Sequence, residues 1–469
     1  MAEIHALIAP HGSEVTTYKP VNGEVNYTWT LHTKQEASQI IDHAHEAFLK
    51  WREVPLERRA ELVGKIGDVL EKYKDELAEM MADQMGKPVS TGRQEIDLCA
   101  EICRYTAEEG VKQFEEETRT IEDGKTGIIT YQPLGVILGM QPWNFPCYQA
   151  VRYSVACILA GNSTVLKHAE VNFAFADKLR EIYLEAGLPE GVFETIYVGG
   201  ETADELIGHD KVRGVNYTGS AEVGKIIAGE AAKHLKRTVL ELGGSDPFLV
   251  LEDADLDLAA KICAQGRTNN AGQTCVAAKR FIVVDAVYDQ FREKFLEAIK
   301  AVEYGDPRDE NTQMGPLVTS ELRDTLQDQV DRAVKQGAEI LFGGSIPDGD
   351  GNFYPATVLD KVDRNNPAFK EELFGPVASL IRAKDEEEAI ELANDHHYGL
   401  GGGVFSKDTD RAIDIARTRI DSGMVNVNNY SLSQPNMPFG GVKDSGWGRE
   451  HGGFGVMEFV NVKSLFIQD

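Results

Sequence analysis

Basic residues are scarce in this chain of 469 residues: 48 Lys and Arg stand against 76 Asp and Glu, a formal net charge of -28. Such a surface repels phosphate backbones and anionic lipid, which excludes broad nucleic-acid or membrane-surface binding and leaves room only for a local basic pocket that takes a small anion. Cysteine is scarce too. The six residues Cys99, Cys103, Cys147, Cys157, Cys263 and Cys275 supply no disulfide framework for a chain this long. Only Cys99 and Cys103 are close, at helical i,i+4 spacing, and no neighbouring Cys or His pair completes a zinc site, so no metal is expected. No apolar run approaches the ~18 residues that span a bilayer. The opening "MAEIHALIAPHG" lacks the basic start and apolar centre of a signal peptide. These absences point to a reducing cytoplasm. No G-x-G-x-x-G follows a strand-like run, so the standard dinucleotide fingerprint is missing as well.

What is present is the composition of a folded protein, 42% hydrophobic and 26% charged, over a length that calls for two or three domains. The first part reads as helical. Ala37, Ile40, Ile41, Ala44, Phe48 and Trp51 recur at helical spacing behind a Thr33–Glu36 capping box. Pro55 opens a further helix with Leu62, Ile66, Leu70, Tyr73 and Leu77 on one face, stopped by Gly86-Lys87-Pro88, and "DLCAEICRYTAEEG" looks like a third. From about Val136 the rhythm changes to short apolar runs, "VILG", "STVLK", "ETIYV", "GVNYTG" and "TVLELGG", separated by stretches of helical period. Five strands alternating with helices imply a parallel, doubly wound α/β sheet whose ligands sit at the strands' carboxyl ends. Asn144, Lys167, Ser220 and Glu241 fall at those ends. A second alternating series, from "PFLVLE" and "KRFIVVD" to "ASLIRAK" and "GMVNVN", implies a second α/β domain. Two segments, "TRTIEDGKTGIITYQP" and "FVNVKSLFIQD", read as extended ribbon, and a terminal strand leaving the body suggests pairing with another subunit.

One motif is a decoy. "GSAEVGKI", Gly219 to Ile226, matches G-x-x-x-x-G-K, but Ile226 stands where a P-loop needs Ser or Thr for Mg²⁺. The Gly-Ser turn entering a helix is still suited to holding a dinucleotide pyrophosphate on its free N–H groups. Cys275 ends "NNAGQTC", on a turn rather than inside the apolar run that follows. Backbone N–H groups at such a turn can stabilise a thiolate and the oxyanion formed after its attack. Glu241 ends a strand beside Gly243 and Gly244, where desolvation would raise its pKa and suit it to activating water. The Asn144 amide in "QPWNFP" can donate to an oxyanion while Trp143 and Phe145 exclude water. Taken singly, each of these residues reads as structural before it reads as catalytic.

In combination, "QPWNFP", "LKHAE", "YTGSAEVG", "LELGGSDP", "GQTC", "EELFGPV" and "PFGGVKDSGWGRE", in this order along nearly the whole chain, resemble the aldehyde dehydrogenase superfamily. The resemblance implies Cys275 as nucleophile, Asn144 as oxyanion donor and Glu241 as general base. It implies oxidation of an aldehyde to a carboxylic acid through a thiohemiacetal and a thioester, with NAD or NADP as cofactor. By the same resemblance Lys167 and Glu170 bind the adenosine ribose, Gly219 and Ser220 the pyrophosphate, and Glu372 the nicotinamide ribose, with Trp143 and Phe374 packing nearby. Glu450 matches a position proposed to relay protons, against a structural ion pair. The domain layout implied is a Rossmann-like cofactor domain over 1–115 and 133–243, a catalytic domain over 244–444, and a small oligomerisation ribbon over 116–132 and 445–469, in a homodimer or homotetramer. A carboxylate at Glu170 accepts from a ribose 2′-OH and repels a 2′-phosphate, which favours NAD over NADP; Lys167 and His168 are the cations that oppose this.

Within the superfamily, "ELGGSDPF", "GQTC" and "FPCYQAVR" look most like succinate-semialdehyde dehydrogenases, and Ser245 stands where most other members carry lysine. A distal carboxylate calls for a cation, and Arg152 matches a position where such enzymes place an arginine, either facing the tunnel or buried in a salt bridge. The pattern departs at Asn269, where some members use a second arginine. Arg267 is shifted by two, and the loop Ser431-Leu432-Ser433-Gln434 offers a hydroxyl or the Gln434 amide in its place. Other short aliphatic aldehydes and a coenzyme-A-acylating reaction are the alternatives; Glu241 counts against the second, because hydrolysis is what needs a base. A cysteine hydrolase would need a His beside the thiol, and none of the 11 sits in a motif that suggests it.

Overall fold

The computed structural model describes residues 8–431 and 433–468. The five runs anticipated after Val136 form strands β1 (Val136–Gln141), β2 (Ser163–His168), β3 (Phe193–Thr195), β4 (Val212–Thr218) and β5 (Arg237–Glu241). They lie side by side in the order β5-β4-β1-β2-β3, all parallel, and Gly446–Trp447 adds an antiparallel edge beside β5. Every residue of β1 is buried, which is why it reads as an unbroken apolar run: helices cover both faces of the sheet. From β1 the chain builds β2 and β3 to one side, then returns to build β4 and β5 on the other. The order therefore reverses between β1 and β4, the place where such sheets open a crevice at their carboxyl ends.

The second series forms a seven-stranded sheet among the described residues, in the order Glu339–Phe342, Thr357–Asp360, Val377–Ala383, Ala278–Val284, Asp246–Val250, Gly403–Phe405 and Asn426–Val427. Its core is a separate cluster centred on Phe248, Phe281, Phe291 and Phe295. Thr126–Pro133 and Val460–Ile467 form the expected ribbon, paired antiparallel from Thr126 with Ile467 to Pro133 with Val460, and Glu117–Thr120 adds a third strand. Its outer face carries Val462 and Phe466, the latter 78% exposed.

The Thr33–Glu36 capping box closes the start of the Lys34–Trp51 helix as anticipated. The helix expected to run from Pro55 to Gly86 is instead two, Leu56–Lys72 and Lys74–Met85. Tyr73, at φ -100° and ψ 13°, breaks it, although the apolar face continues in register through the break. An N-terminal hairpin of Glu14–Tyr18 with Val25–Thr30 was not foreseen. No helix among the described residues is long and apolar enough to cross a membrane.

Candidate active site

The stretch before Cys275 is conformationally unusual. Asn270, Ala271 and Gly272 all have positive φ, at 53°, 53° and 71°, between the Leu256–Thr268 helix and the Ala278–Val284 strand. For Asn and Ala this costs of order 1 kcal/mol each, and it persists only where surroundings over-determine it. Here they do. Asn270 Nδ2 donates to the Asn144 carbonyl at 2.9 Å, Arg267 donates to Gly272 O at 2.8 Å, and Gln273 Oε1 accepts from the Val318 N–H at 3.0 Å. A Cβ on Gly272 would overlap the Gly375 carbonyl. The result is a half-buried Cys275, while the other five cysteines are buried. Burial pushes its thiol up to about 12, against the opposing pull of Lys279 and Arg152.

Asn144 follows β1 and is tied into the same turn, its Nδ2 donating to Gln273 O at 3.0 Å, while its Oδ1 is buried without a partner. Glu241 ends β5. Both of its carboxylate oxygens are buried and unpartnered, and burial holds its pKa well above the ordinary value, with Arg152 pulling the other way. A carboxyl buried without hydrogen bonds is destabilising, a cost that marks a residue kept for its chemistry.

Two chambers meet at Cys275. One is a cleft of about 750 Å³ at the carboxyl ends of β1, β4 and β5, lined by Trp143, Asn144, Thr218, Ser220, Gly243, Glu372 and Phe374. The other is a cavity of about 630 Å³ lined by Lys87, Thr91, Tyr148, Asn269, Ser433 and Phe439 among others. Cys275 and Gln149 border both.

The cleft fits a dinucleotide. Gly219 is bare where a Cβ would overlap the Tyr217 hydroxyl, and Gly243 is bare beside the Glu372 carboxylate. Ser220 caps the Ala221–Lys233 helix, its hydroxyl accepting from Val223 N–H at 3.3 Å, so the helix start faces the cleft as a natural anion site. Trp143 and Phe374 meet edge to face at 5.8 Å. Lys167 lies near the end of β2 with Glu170 just beyond it, outside the enclosed part of the cleft; burial lowers the pKa of Lys167 and Glu170 raises it. His168 is not the second cation anticipated. Its Nε2 donates to Pro146 O at 3.0 Å, its Nδ1 accepts from Ala169 N–H at 2.9 Å, and burial drops its pKa to about 4, which keeps it neutral. No group of three or more His, Cys, Asp or Glu that could hold a metal occurs among the described residues.

The substrate side needs corrections. Arg152 lines neither chamber. It sits on the Pro146–Ala160 helix, which is buried along its whole length. Its guanidinium is ion-paired with Glu450, donates to Thr218 Oγ1 at 2.9 Å, and packs over the Tyr148 and Phe439 rings. A cation there has no route to water and must be paired, so the buried alternative prevails over the tunnel-facing one. Glu450 also accepts from Asn216 Nδ2 at 2.9 Å and borders neither chamber. Gln434 is exposed and outside the cavity; the loop contributes Ser433 instead, whose Oγ accepts from the Tyr148 hydroxyl at 3.0 Å. Leu432 lies outside the described residues.

Two lysines at the site were not singled out from the sequence. Lys87 is ion-paired with Glu95 and stacks over Phe145 at 3.7 Å. Glu95 in turn accepts from the N–H groups of Cys147 and Tyr148, at 2.9 and 3.0 Å, at the start of the Pro146–Ala160 helix. Its signal, a lysine between glycine and proline, reads first as a helix stop. Lys279 lies inside the buried strand Ala278–Val284, where a charge in an apolar run was the available clue.

Comparison with known proteins agrees with this geometry. A model of the aldehyde dehydrogenase family matches residues 8–465. A protein of Escherichia coli named succinate semialdehyde dehydrogenase, NAD(P)+, is 42% identical over 95% of this chain and 96% of its own length. One of Synechocystis named probable succinate-semialdehyde dehydrogenase, NADP(+), is 40% identical over 97% and 99%. Among solved structures, succinic semialdehyde dehydrogenase from Streptococcus pyogenes with NADP+ superposes with a TM-score of 0.93 at 37% identity, covering 97% of this chain and 100% of that one. Betaine aldehyde dehydrogenase from Staphylococcus aureus with NAD+ gives 0.93 at 32%, covering 97% and 91%.

Proposed function

Because the chain belongs to the aldehyde dehydrogenase family and oxidises aldehydes with NAD or NADP, we propose that its substrate is succinate semialdehyde, its product succinate and its preferred cofactor NAD. The observation that carries this reading is the meeting of the two chambers at Cys275. One has the backbone cradle of a dinucleotide, and the other is a mainly apolar cavity whose wall carries the Lys87–Glu95 ion pair and uncharged donors at Thr91, Asn269 and Ser433. The relatives' names support the semialdehyde. Glu170 and the neutral His168 support NAD.

In this reading the Cys275 thiolate adds to the aldehyde carbon. The Asn144 amide keeps one N–H on Gln273 O and turns the other, with the Cys275 N–H, on the oxyanion. Gly219 and Ser220 would hold the pyrophosphate of the cofactor, Lys167 and Glu170 its adenosine ribose, and Glu372 its nicotinamide ribose, with Trp143 and Phe374 nearby. Bound NAD(P) supplies the acceptor for the hydride that leaves the carbon. Collapse of the thiohemiacetal leaves a thioester on Cys275, and Glu241 takes a proton from the water that hydrolyses it. Glu450, ion-paired with Arg152 and accepting from Asn216 Nδ2, fits the structural alternative to a proton relay. Segments 1–115 and 133–243 form the cofactor domain and 244–444 the catalytic domain. Segments 116–132 and 445–469, which carry the ribbon of Thr126–Pro133 with Val460–Ile467, assemble a homodimer or homotetramer, in the cytoplasm.

The test is NAD(P)H formation from succinate semialdehyde and from butanal, which has the same chain length without the carboxylate, with each cofactor. A site that binds the carboxylate should favour the semialdehyde by about 100-fold or more in kcat/KM. Equal values would remove the semialdehyde reading, and a higher kcat/KM with NADP would remove the NAD preference.

A further inference from the structure

A lysine inside a buried strand is tolerated only if its ammonium, with three donors and no acceptor, is satisfied. Lys279 is 2% exposed. Its Nζ donates to the Cys275 carbonyl at 2.6 Å and to the Thr274 carbonyl at 3.0 Å, and it pairs with Glu372 Oε1 at 3.2 Å. Three donors thus meet three acceptors. Two belong to the turn that carries the thiol, and the third belongs to a carboxylate lining the cleft on the other side. Glu372 Oε1 also accepts from the Gly244 N–H at 3.2 Å, which fixes this end of the carboxylate, while Oε2 lies beside bare Gly243 at the cleft.

The Thr274 carbonyl and the Cys275 N–H belong to one planar peptide and point in opposite directions. Whatever holds that carbonyl therefore aims that N–H. We propose that Lys279 is a positioning residue that orients the Cys275 N–H through the Thr274 carbonyl and ties the nucleophile turn to Glu372, so that a ligand engaging the Glu372 carboxylate is felt at the thiol. The proposal rests on Cys275 as nucleophile. It adds a coupling between the two chambers that the roles of Cys275, Asn144 and Glu241 do not contain. The charges facing the thiol fit it: Lys279 and Arg152 favour the thiolate, Glu372 and Asp246 oppose it, and the Tyr430 phenol lies within range. A ribose hydroxyl donating to Glu372 draws charge away from the ammonium and leaves more of its field for the sulfur.

The test is the rate of iodoacetamide alkylation against pH on the full-length protein, with modification of Cys275 followed by peptide mass spectrometry. Lys279→Met should slow alkylation at neutral pH about tenfold and move the profile about one unit alkaline. Lys279→Arg should restore most of it. Glu372→Gln should move it in the opposite direction and speed alkylation. A Lys279→Met profile that superposes on that of the unmodified sequence, or a shift of Lys279→Met and Glu372→Gln in the same direction, overturns the proposal. Should Lys279→Met fail to fold, an unchanged rate in Glu372→Gln does so alone. If complete alkylation of Cys275 in the unmodified sequence leaves aldehyde oxidation intact, the nucleophile assignment itself falls, a different outcome from unmoved profiles with one-to-one inactivation.

Discussion

On one side of Cys275 most of the wall is the ends of neighbouring strands: residues 142–144, 218–220 and 242–243 all belong to the carboxyl edge of one sheet, and Leu322, Glu372 and Phe374 complete it. On the other side they are side chains from four separate stretches, around Lys87, Tyr148, Asn269 and Ser433, that only tertiary packing brings together. Backbone geometry shapes the cofactor cleft, so few substitutions there are neutral. Side-chain identity shapes the substrate cavity, so it can change specificity without disturbing the sheet.

The largest effect expected is on the step that follows cofactor reduction. Glu241→Gln should lower steady turnover by roughly a thousandfold, within the range of general-base contributions, while leaving one burst of NAD(P)H per active Cys275. An undiminished steady rate would show that the two chambers do not divide the reaction at the thioester. The same residue carries a stability signature. Burial holds its proton in the folded state above the ordinary pKa of 4.5, so the folded protein binds more protons than the unfolded chain, and stability falls as pH rises through that window. Glu241→Gln should therefore melt higher than the unmodified sequence at pH 8, with the gain vanishing toward pH 4.

Next comes Arg152, which belongs to the scaffold behind both chambers. Removing one partner of a buried ion pair leaves the other charge uncompensated, and Arg152→Ala should cost about 3 kcal/mol or more of folding stability. Denaturant unfolding measures this. The KM for succinate semialdehyde, taken under conditions where the variant is folded, should stay within about twofold, since the guanidinium borders neither chamber. A large KM rise with unchanged stability would return Arg152 to the carboxylate-binding role expected from its position.

The same contrast explains what was legible in the sequence. β1 announces itself because burial on both faces makes it apolar throughout, and β2 to β5 by shorter apolar runs. Strand ends are where ligands sit, so Asn144 and Ser220 fall at the cleft by position alone, while Glu241 ends its strand buried behind the lining. Arg152 was ambiguous because periodicity places a residue on a helix but does not tell which face is covered when every face is. Gln434 and Ser433 are adjacent on an irregular loop, and no repeat says which one turns inward. Lys87 and Lys279 were hidden for a third reason: their partners, Glu95 and Glu372, are 8 and 93 residues away and lie on other elements. The break at Tyr73 leaves no mark in the sequence because the apolar face resumes in register after it.

The smallest expected effect is the one that separates the chambers most cleanly. Asn269 sits at the end of the Leu256–Thr268 helix, half-buried on the cavity wall, at the position where some members of the superfamily carry a second arginine. An amide in that place offers a neutral hydrogen bond, worth about 1 kcal/mol, where a charged one would contribute more. Asn269→Ala should therefore raise KM for succinate semialdehyde only about fivefold. KM for butanal should not change, because butanal has no group for the amide to meet, and KM for NAD should not change, because Asn269 does not border the cleft. Parallel losses on both aldehydes would mean that the residue shapes the turn carrying Cys275 rather than reading the substrate. A loss confined to the cofactor would mean that the two chambers communicate through this wall rather than through Lys279.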